Sequence, residues 1–541
     1  MVFSSKPRSI AIAAATAFGL ILGGASVQAE AQLVAFSQAS VFSQALAAAA
    51  SANEALSNFY GSRGYTPLWT GPQDAARRQL LLTALDSAPR HGLPVARYDA
   101  AALRARFRNA VTEGDRGRLE VAMTAAYLAF AHDLSSGVLV PSKIDPTILR
   151  EITPPAPALL LARASGAGFA RFLHDLPPTS PEYARMMKEK FLLEAKIAEG
   201  GFGPGIPAGT VIPGDSGAAV VALRDRLVAL GYLNRSATRI YDRAVQSAVQ
   251  RFQLDNGLTP DGSAGPGTVT ALNTEPQDRL KSVIVAMERL RWMGDIDLGA
   301  RHIWVNQPDF TAQIVDNGLV TFQTRAVIGR QELDRRTPEF SDLMEFMVIN
   351  PSWSVPRSIT TKEYLPMLRA NPNAVSHLQV IDGAGRVVPR GAVNFADYSD
   401  GNFPFALRQP PSDGNALGKV KFMFPNPNNI YLHDTPSKSL FDEEVRAFSH
   451  GCIRLADPRD FAYVLLARQS DDPKAEFQHY LETGRESRLD LATPVPVHLV
   501  YFTAWPNAKG QMTYRRDVYG RDAEIYQALE NAGMVLELVQ G

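Results

Sequence analysis

The chain has 541 residues, which is room for three or four domains at about 100–200 residues each. Its 55 basic and 55 acidic side chains cancel, so no positive excess points to nucleic acid and no acidic tail is present. Hydrophobic residues make up 45% of the chain, which is typical of a globular protein.

The first 29 residues have the layout of a secretory signal peptide. Lys6 and Arg8 precede an apolar run over residues 10–24, and Val27-Gln28-Ala29 supplies the small residues expected before cleavage after Ala29. An uncleaved anchor is disfavoured because the run is shorter than the ~20 residues of a membrane span. We therefore expect a mature protein in the periplasm that has no membrane span.

Residues 33–198 have a mostly helical pattern. The stretches "DAARRQLLLTALDSA" and "LEVAMTAAYLAFAHDLSSG" carry apolar residues three and four positions apart, and proline-rich breaks such as "TPPAPALL" separate them. This pattern predicts a helical N-terminal domain with connecting loops.

A Gly/Pro-rich linker, "EGGFGPGIPAGTV", leads into a compact unit at residues 212–275. Two apolar helical stripes are predicted in it: Val220, Leu223, Leu227 and Leu230, then Val245, Ala248, Val249 and Phe252. Glycines at 231 and 257 end these helices. The stretches "LRDRLVALGYL" and "AVQRFQLDNGLTPDGSAGPGTVTALN" resemble the small three-helix peptidoglycan-binding domain of cell-wall enzymes. That resemblance implies peptidoglycan binding, and a helical spacer without a ligand stays open.

Residues 285–510 have a mostly β pattern. "HIWVNQPDFTAQIVDNGLVTFQTRAVIG" alternates apolar and polar residues and turns at Asp316-Asn317-Gly318, which indicates a hairpin. "EFMVINPSWSVP", "IYLHDTP" and "VPVHLVYFTAW" predict further strands, while "TKEYLPMLRA" and "PRDFAYVLLARQ" predict helices. The irregular stretch "DYSDGNFPFALRQPPSDGNALG" favours a lid-like insertion, which we place around residues 357–413, and residues 511–541 are a C-terminal extension. The fold class expected is multidomain α+β.

The only cysteine, Cys452, lies in "AFSHGCIRLAD". A lone cysteine in an oxidising space cannot form an internal disulfide, which leaves a buried inert thiol, an intermolecular bridge or a reactive nucleophile. Apolar packing does not require Ser, His, Gly and Arg as neighbours, so we favour the nucleophile. Histidine suits the role of base, and both His450 and His433 are candidates that spacing does not separate.

The neighbours of the cysteine are candidates for the other roles. The backbone N–H groups of Gly451 and Cys452 are candidate oxyanion donors, and Ser449 is a candidate orienting hydroxyl. Arg454 is a candidate for holding a carboxylate, and the alternative is a structural ion pair with Asp457.

The motif "SHGCIRL", preceded by "IYLHDTP", resembles the active-site signature of the YkuD-type L,D-transpeptidases. The resemblance implies that Cys452 is the acylated nucleophile and His433 the base. The other motif residues that it carries over are Ser449, His450, Gly451, Arg454 and, for the oxyanion site, Tyr431. "FYGSRGYTPLW", "MERLRWM", "INPSWSVPRSI" and "RQPPSDGNALGKVKFMFPN" resemble the large YcbB-like branch. That branch joins a helical scaffold domain, a peptidoglycan-binding domain and a catalytic domain with a substrate-capping loop.

The chemistry that this resemblance implies is acyl transfer between peptidoglycan stems. Cys452 would attack the third residue of a tetrapeptide stem, usually meso-diaminopimelate, expel D-Ala and form a thioester. The amine of another stem would complete a 3→3 cross-link. No metal or organic cofactor is needed, and carbapenem-type β-lactams are expected to acylate the thiol.

Three alternatives to this interpretation are a hydrolase, an inactive scaffold and a cysteine protease. Water as acceptor would make the protein an L,D-carboxypeptidase or endopeptidase. A wall-binding scaffold without activity also remains open. A papain-like protease is disfavoured because its cysteine precedes its histidine in the chain.

Overall fold

The structure is a computed structural model that describes residues 40–294 and 296–535. The expected signal peptide and the first residues of the helical domain lie outside the described residues. The chain forms two compact units: one holds the residues up to Arg78 and Ala101–Thr124, and the other holds Gln79–Ala100 and the residues from Ala125 onwards. Within the described ranges, every helix is too short or too polar to cross a membrane.

The N-terminal part is helical, as the apolar spacing predicts. Its helices are α1 (Val41–Ala50), α2 (Glu54–Ser62), α3 (Ala75–Asp86), α4 (Ala100–Asn109), α5 (Glu113–Ser136), α6 (Pro141–Ile144), α7 (Pro157–Ser165), α8 (Phe169–Asp175) and α9 (Pro181–Ala198). In the first unit, the buried Glu120 carboxylate accepts hydrogen bonds from the N–H groups of Leu68 (2.6 Å) and Thr70 (2.9 Å). A buried carboxylate is tolerated there because backbone donors satisfy it.

The predicted small helical domain is confirmed. It contains α10 (Ala218–Ala229), α11 (Arg243–Asp255) and α12 (Pro266–Leu272), and the long helix α13 (Pro276–Met293) follows it. Both apolar stripes form its core, with only Leu230 partly exposed. Gly231 and Gly257 follow the first two helices with φ of +79° and +69°, the left-handed conformation that ends a helix.

The C-terminal part is mostly β, as predicted. Its strands are β1 (Arg301–Asn306), β2 (Thr311–Asp316), β3 (Leu319–Gly329), β4 (Phe340–Ile349), β5 (Trp353–Ser354), β6 (Gln379–Ile381), β7 (Val387–Val388), β8 (Ala406–Gln409), β9 (Val420–Met423), β10 (Leu432–His433), β11 (Ala447–Ser449), β12 (Ile453–Leu455), β13 (Ser487–Val500), β14 (Ala504–Pro506) and β15 (Met512–Tyr514). Its helices are α14 (Arg357–Ile359), α15 (Leu365–Ala370), α16 (Pro458–Leu466), α17 (Pro473–Glu482) and α18 (Arg521–Asn531).

The main sheet closes on itself around the hydrophobic core of this part. Its strand order is β11-β3-β12-β10-β9-β4-β13-β1-β2, and β2 also pairs with β3. The core inside includes Ile303, Phe422 and Leu499. The predicted hairpin joins β2 to β3, and Asn317 and Gly318 both have positive φ, as a tight hairpin turn requires.

The lid-like insertion is more ordered than the sequence suggested. Residues 353–409, hereafter the cap subdomain, form a second sheet in the order β5-β8-β6-β7. Its own hydrophobic core includes Leu365, Val380, Phe395 and Leu407. The expectation of an irregular segment fails only at strand β8, Ala406–Gln409, because most of the remaining stretch over residues 397–418 has no regular secondary structure. The pairing of β8 with the distant β6 leaves no local sequence signal.

Candidate active site

The candidate catalytic side chains project from two neighbouring parallel strands, β10 and β12. Leu432 lies opposite Ile453, and His433 lies opposite Arg454. The first pair is fully buried in the core of the closed sheet. Because successive side chains of a strand point to opposite faces, the second pair lies on the outer face.

Cys452 directly precedes β12, two residues before Arg454, so strand alternation places its side chain on this same outer face, and Tyr431 directly precedes β10. Its thiol is partly exposed and donates to the carbonyl of Asn429 at 3.5 Å. Burial raises the pKa of the thiol from 9.0 to about 11, although the Tyr431 N–H and phenol donate to the sulfur and the Arg454 charge favours the thiolate. The thiol is therefore protonated at neutral pH and needs a base to react.

His433 is a neutral base whose tautomer is fixed by its neighbour. Its Nδ1 lies 2.5 Å from the Asp434 carbonyl, which can only accept, so Nδ1 carries the proton and Nε2 the lone pair. Burial, and then the charge of Arg454, lower the pKa of His433 to about 3. No hydrogen bond joins the imidazole to the Cys452 thiol in the described part of the chain, which is common for catalytic pairs without substrate.

Asp434 holds the histidine in this orientation. Its carboxylate accepts from the Lys419 N–H at 2.8 Å and from the Lys438 ammonium at 2.7 Å. A Cβ at Gly418 would lie 2.3 Å from the Asp434 side chain, so the residue is tightly enclosed. The sequence signal that could have identified Asp434 is its position directly after His433 in "HDTP".

Ser449 and Gly451 build the turn that presents the cysteine. The Ser449 hydroxyl donates to the Cys452 carbonyl at 2.5 Å and accepts from the Gly451 N–H at 3.1 Å. This corrects one expectation: the Gly451 N–H is already used by a side chain and does not serve as an oxyanion donor here. The Cys452 N–H remains the backbone candidate. Gly451 has a φ of +115°, which an L side chain rarely adopts.

His450 and Arg454 have different surroundings. The His450 Nε2 lies 2.8 Å from the Glu363 carboxylate of the cap subdomain, so the ring is held by the cap. No ion pair joins Arg454 to Asp457 in the described part of the chain, and the Asp457 carboxylate accepts from the Thr324 hydroxyl at 2.8 Å. The Arg454 Nε is buried without a hydrogen-bond partner among the residues described.

Three family models match the chain. They describe a scaffold domain at residues 54–189, a peptidoglycan binding domain at residues 216–272 and an L,D-transpeptidase catalytic domain at residues 300–497. The C-terminal domain belongs to the L,D-transpeptidase family. The order of the three matches is the one that the resemblance to the large branch implies.

Similar proteins carry the same family name. A Haemophilus influenzae protein whose curated name assigns it, provisionally, as an L,D-transpeptidase is 31% identical over 255 residues, which are 47% of this chain and 50% of that protein. The chain thus spans about half the length of this curated relative. The match to an L,D-transpeptidase structure from Xylanimonas cellulosilytica covers 55% of this chain and 98% of that structure's chain. The two are 16% identical, with a TM-score of 0.17. The match to an L,D-transpeptidase structure from Stackebrandtia nassauensis covers 55% of this chain and 97% of that structure's chain, at 13% identity and a TM-score of 0.21. Such low scores carry no weight for the fold.

Two further residues of the transpeptidase domain lie at the site without any local sequence signal. Lys421 of β9 lies directly opposite His433, and burial lowers the pKa of its ammonium, partly offset by Glu486. Glu363 contacts the motif from the cap subdomain. Strands and loops far apart in sequence bring these residues together, so spacing could not reveal them.

A large cleft of the second unit, about 2500 Å³, lies elsewhere. It is bordered by the helices α7 to α9, by residues 257–260 of the peptidoglycan-binding domain and by residues 441–444 of the transpeptidase domain. Neither Cys452 nor His433 lines it. This cleft therefore does not coincide with the candidate site at the cysteine motif.

Proposed function

We propose that the protein is an L,D-transpeptidase that joins peptidoglycan stem peptides through 3→3 cross-links. The observation that carries the proposal is that a protonated thiol, Cys452, and a neutral histidine, His433, lie on one face where the neighbouring strands β10 and β12 pair. The match of this domain to the L,D-transpeptidase family supports it.

The first half-reaction is acylation of the cysteine. Burial raises the pKa of the thiol and lowers that of the imidazole, so both groups favour their neutral forms before substrate binds. His433 Nε2 therefore takes the proton as Cys452 attacks the carbonyl of the third stem residue. The Tyr431 phenol and the Cys452 N–H face the oxyanion that forms. The imidazolium then protonates the leaving amine of D-Ala, and a thioester remains.

The second half-reaction transfers the acyl group to an amine. The side-chain amine of another stem's third residue attacks the thioester, His433 accepts its proton, and the Cys452 sulfur leaves and is reprotonated. The cap subdomain is suited to exclude water during this step. Deleting residues 357–405 should shift the products from cross-links toward the hydrolysed tripeptide, and an unchanged ratio would argue against this role.

We also propose that the protein is exported to the periplasm, where its small helical domain contacts the wall. The sequence of residues 1–29 and the match to a peptidoglycan-binding domain support this placement. Carbapenems should acylate Cys452, because they present an activated carbonyl to the same nucleophile. Intact-mass measurement would detect the adduct, and wild-type protein without one would contradict this part.

The direct test is muropeptide analysis after incubation of the purified protein with tetrapeptide-rich sacculi. We expect new 3→3 dimers with the wild type and none with Cys452→Ala. Tripeptides without dimers would instead assign a hydrolase. Dimers made equally well by Cys452→Ala would reject the cysteine mechanism.

A further inference from the structure

A carboxylate of the protein itself lies beside the cysteine motif. Glu363 Oε1 accepts from His450 Nε2 and from Arg335 Nη2, each at 2.8 Å. His450 is two residues from Cys452. Arg335 belongs to the loop after β3, and the same loop donates the Thr337 hydroxyl to the Gly451 carbonyl at 2.7 Å. A site that binds a carboxylate therefore exists next to the nucleophile, built from two side chains outside the cap.

The backbone of the cap subdomain positions the Glu363 carboxylate. Glu363 lies in a π-helical turn, Thr360–Tyr364. Pro366 follows and has no N–H to bond the carbonyl of Lys362, so the regular α-helical ladder is interrupted there. Wide turns of this kind are frequent at functional sites. The turn aims Glu363 toward the motif and away from the cap's own core.

The contacts of Glu363 are weak enough to exchange. The side chains of Glu363, His450 and Arg335 are 32%, 31% and 24% exposed. Ion pairs as open to solvent as these contribute about 0–1 kcal/mol each. A second pair between cap and loop, Lys362 with Asp334 at 3.6 Å, is more exposed still. These contacts can hold the cap in place at rest, yet a ligand with its own carboxylate can displace Glu363.

We propose that Arg335 and His450 form a subsite for a carboxylate of the stem peptide, and that Glu363 fills this subsite when no substrate is bound. The inference rests on the proposed function only in naming the ligand as a stem peptide. One carboxylate replaces another, so the charge balance of the site is unchanged on binding. A diaminopimelate-containing tetrapeptide offers two such groups near the attacked carbonyl: the free carboxylate of its third residue and the terminal carboxylate of D-Ala.

The test measures binding without turnover, by calorimetry on the Cys452→Ala protein. The ligands are the tetrapeptide, its third-residue carboxamide and its C-terminal amide. Glu363→Gln keeps the shape but removes the competing charge, and Arg335→Met removes the donor. Asp334→Asn is the matched control, because it breaks the neighbouring ion pair without touching the subsite.

We expect Glu363→Gln to tighten tetrapeptide binding about 3- to 10-fold and Arg335→Met to weaken it about 10-fold, the size of one charge-assisted hydrogen bond. Asp334→Asn should change it less than twofold. The amidated ligand that lacks the bound carboxylate should be insensitive to Arg335→Met, which identifies the group.

Two results would overturn the subsite: weaker or unchanged binding in Glu363→Gln, or an equal loss for all three ligands in Arg335→Met. Thermal melts of each variant, matching that of the Cys452→Ala protein, exclude misfolding as the cause. The binding and cross-linking assays together distinguish a failure of the proposed subsite from a failure of the proposed function. Charge-dependent binding without cross-linking by the wild type would keep the subsite and reject the function, whereas cross-linking without that charge dependence would do the reverse.

Discussion

The raised pKa of Cys452 predicts an unusually slow reaction with alkylating reagents at neutral pH. With a pKa of about 11, about one thiol in 10⁴ is ionised at pH 7, against about one in 10² for the ordinary 9.0. Iodoacetamide should therefore modify the folded protein about 100-fold more slowly than the unfolded chain. The rate should rise about tenfold per pH unit between about pH 7 and 10.

Arg454→Met tests the electrostatic part of this reasoning. The Arg454 charge lowers the pKa of the thiol, so its removal should raise that pKa and slow alkylation at every pH below the midpoint. Arg454→Lys keeps the charge and should leave the profile close to that of the wild type. Because the chain has one cysteine, the mass of a single adduct reports the reaction, and the same chain in urea is the reference. A rate that levels off below about pH 9, or an Arg454→Met profile identical to the wild type, would refute the reasoning.

Three other changes test the site and its support. Gly451→Ala adds a Cβ 3.2 Å from Ile430 Cδ1 at a φ of +115°, so urea unfolding should show a loss of about 1–2 kcal/mol; an unchanged midpoint would contradict this. Tyr431→Phe removes a donor to the sulfur and should lower the cross-linking rate about 100-fold with little change in melting temperature, whereas an unaffected rate would remove the phenol from the mechanism. Burial would raise the pKa of Asp145, but Arg521 lowers it to about 2, so this carboxylate stabilises the fold above pH 4 and loses that effect between about pH 4 and 2. Asp145→Asn should therefore be less stable than wild type by about 2 kcal/mol at pH 7 and by much less at pH 2, and a gap that stays constant with pH would contradict the assignment.

Local patterns predicted the elements whose cause is local. The turn at Asn317-Gly318 needs two positive φ angles, and both residue types tolerate them. The stripes of the small helical domain follow from apolar spacing on single helices. The motif around Cys452 was visible because its residues are neighbours in the chain.

Features that depend on contacts between residues far apart in the chain could not be predicted from the sequence. The cap subdomain forms because β6 pairs with β8, and no short pattern encodes that pairing. Glu363 meets His450 only through that fold. The error at Gly451 has a different cause: the Ser449 hydroxyl competes for the N–H that was expected to face the oxyanion, as short polar side chains often do for nearby backbone groups.

The most direct test of the cysteine mechanism is the intact mass of the protein after mixing with a disaccharide-tetrapeptide and no acceptor amine. The account predicts an adduct equal to the donor minus D-Ala, located on Cys452, formed much more slowly by His433→Ala and absent from Cys452→Ala. Release of D-Ala by the wild type with no adduct at any time, continuing in Cys452→Ala, would contradict it.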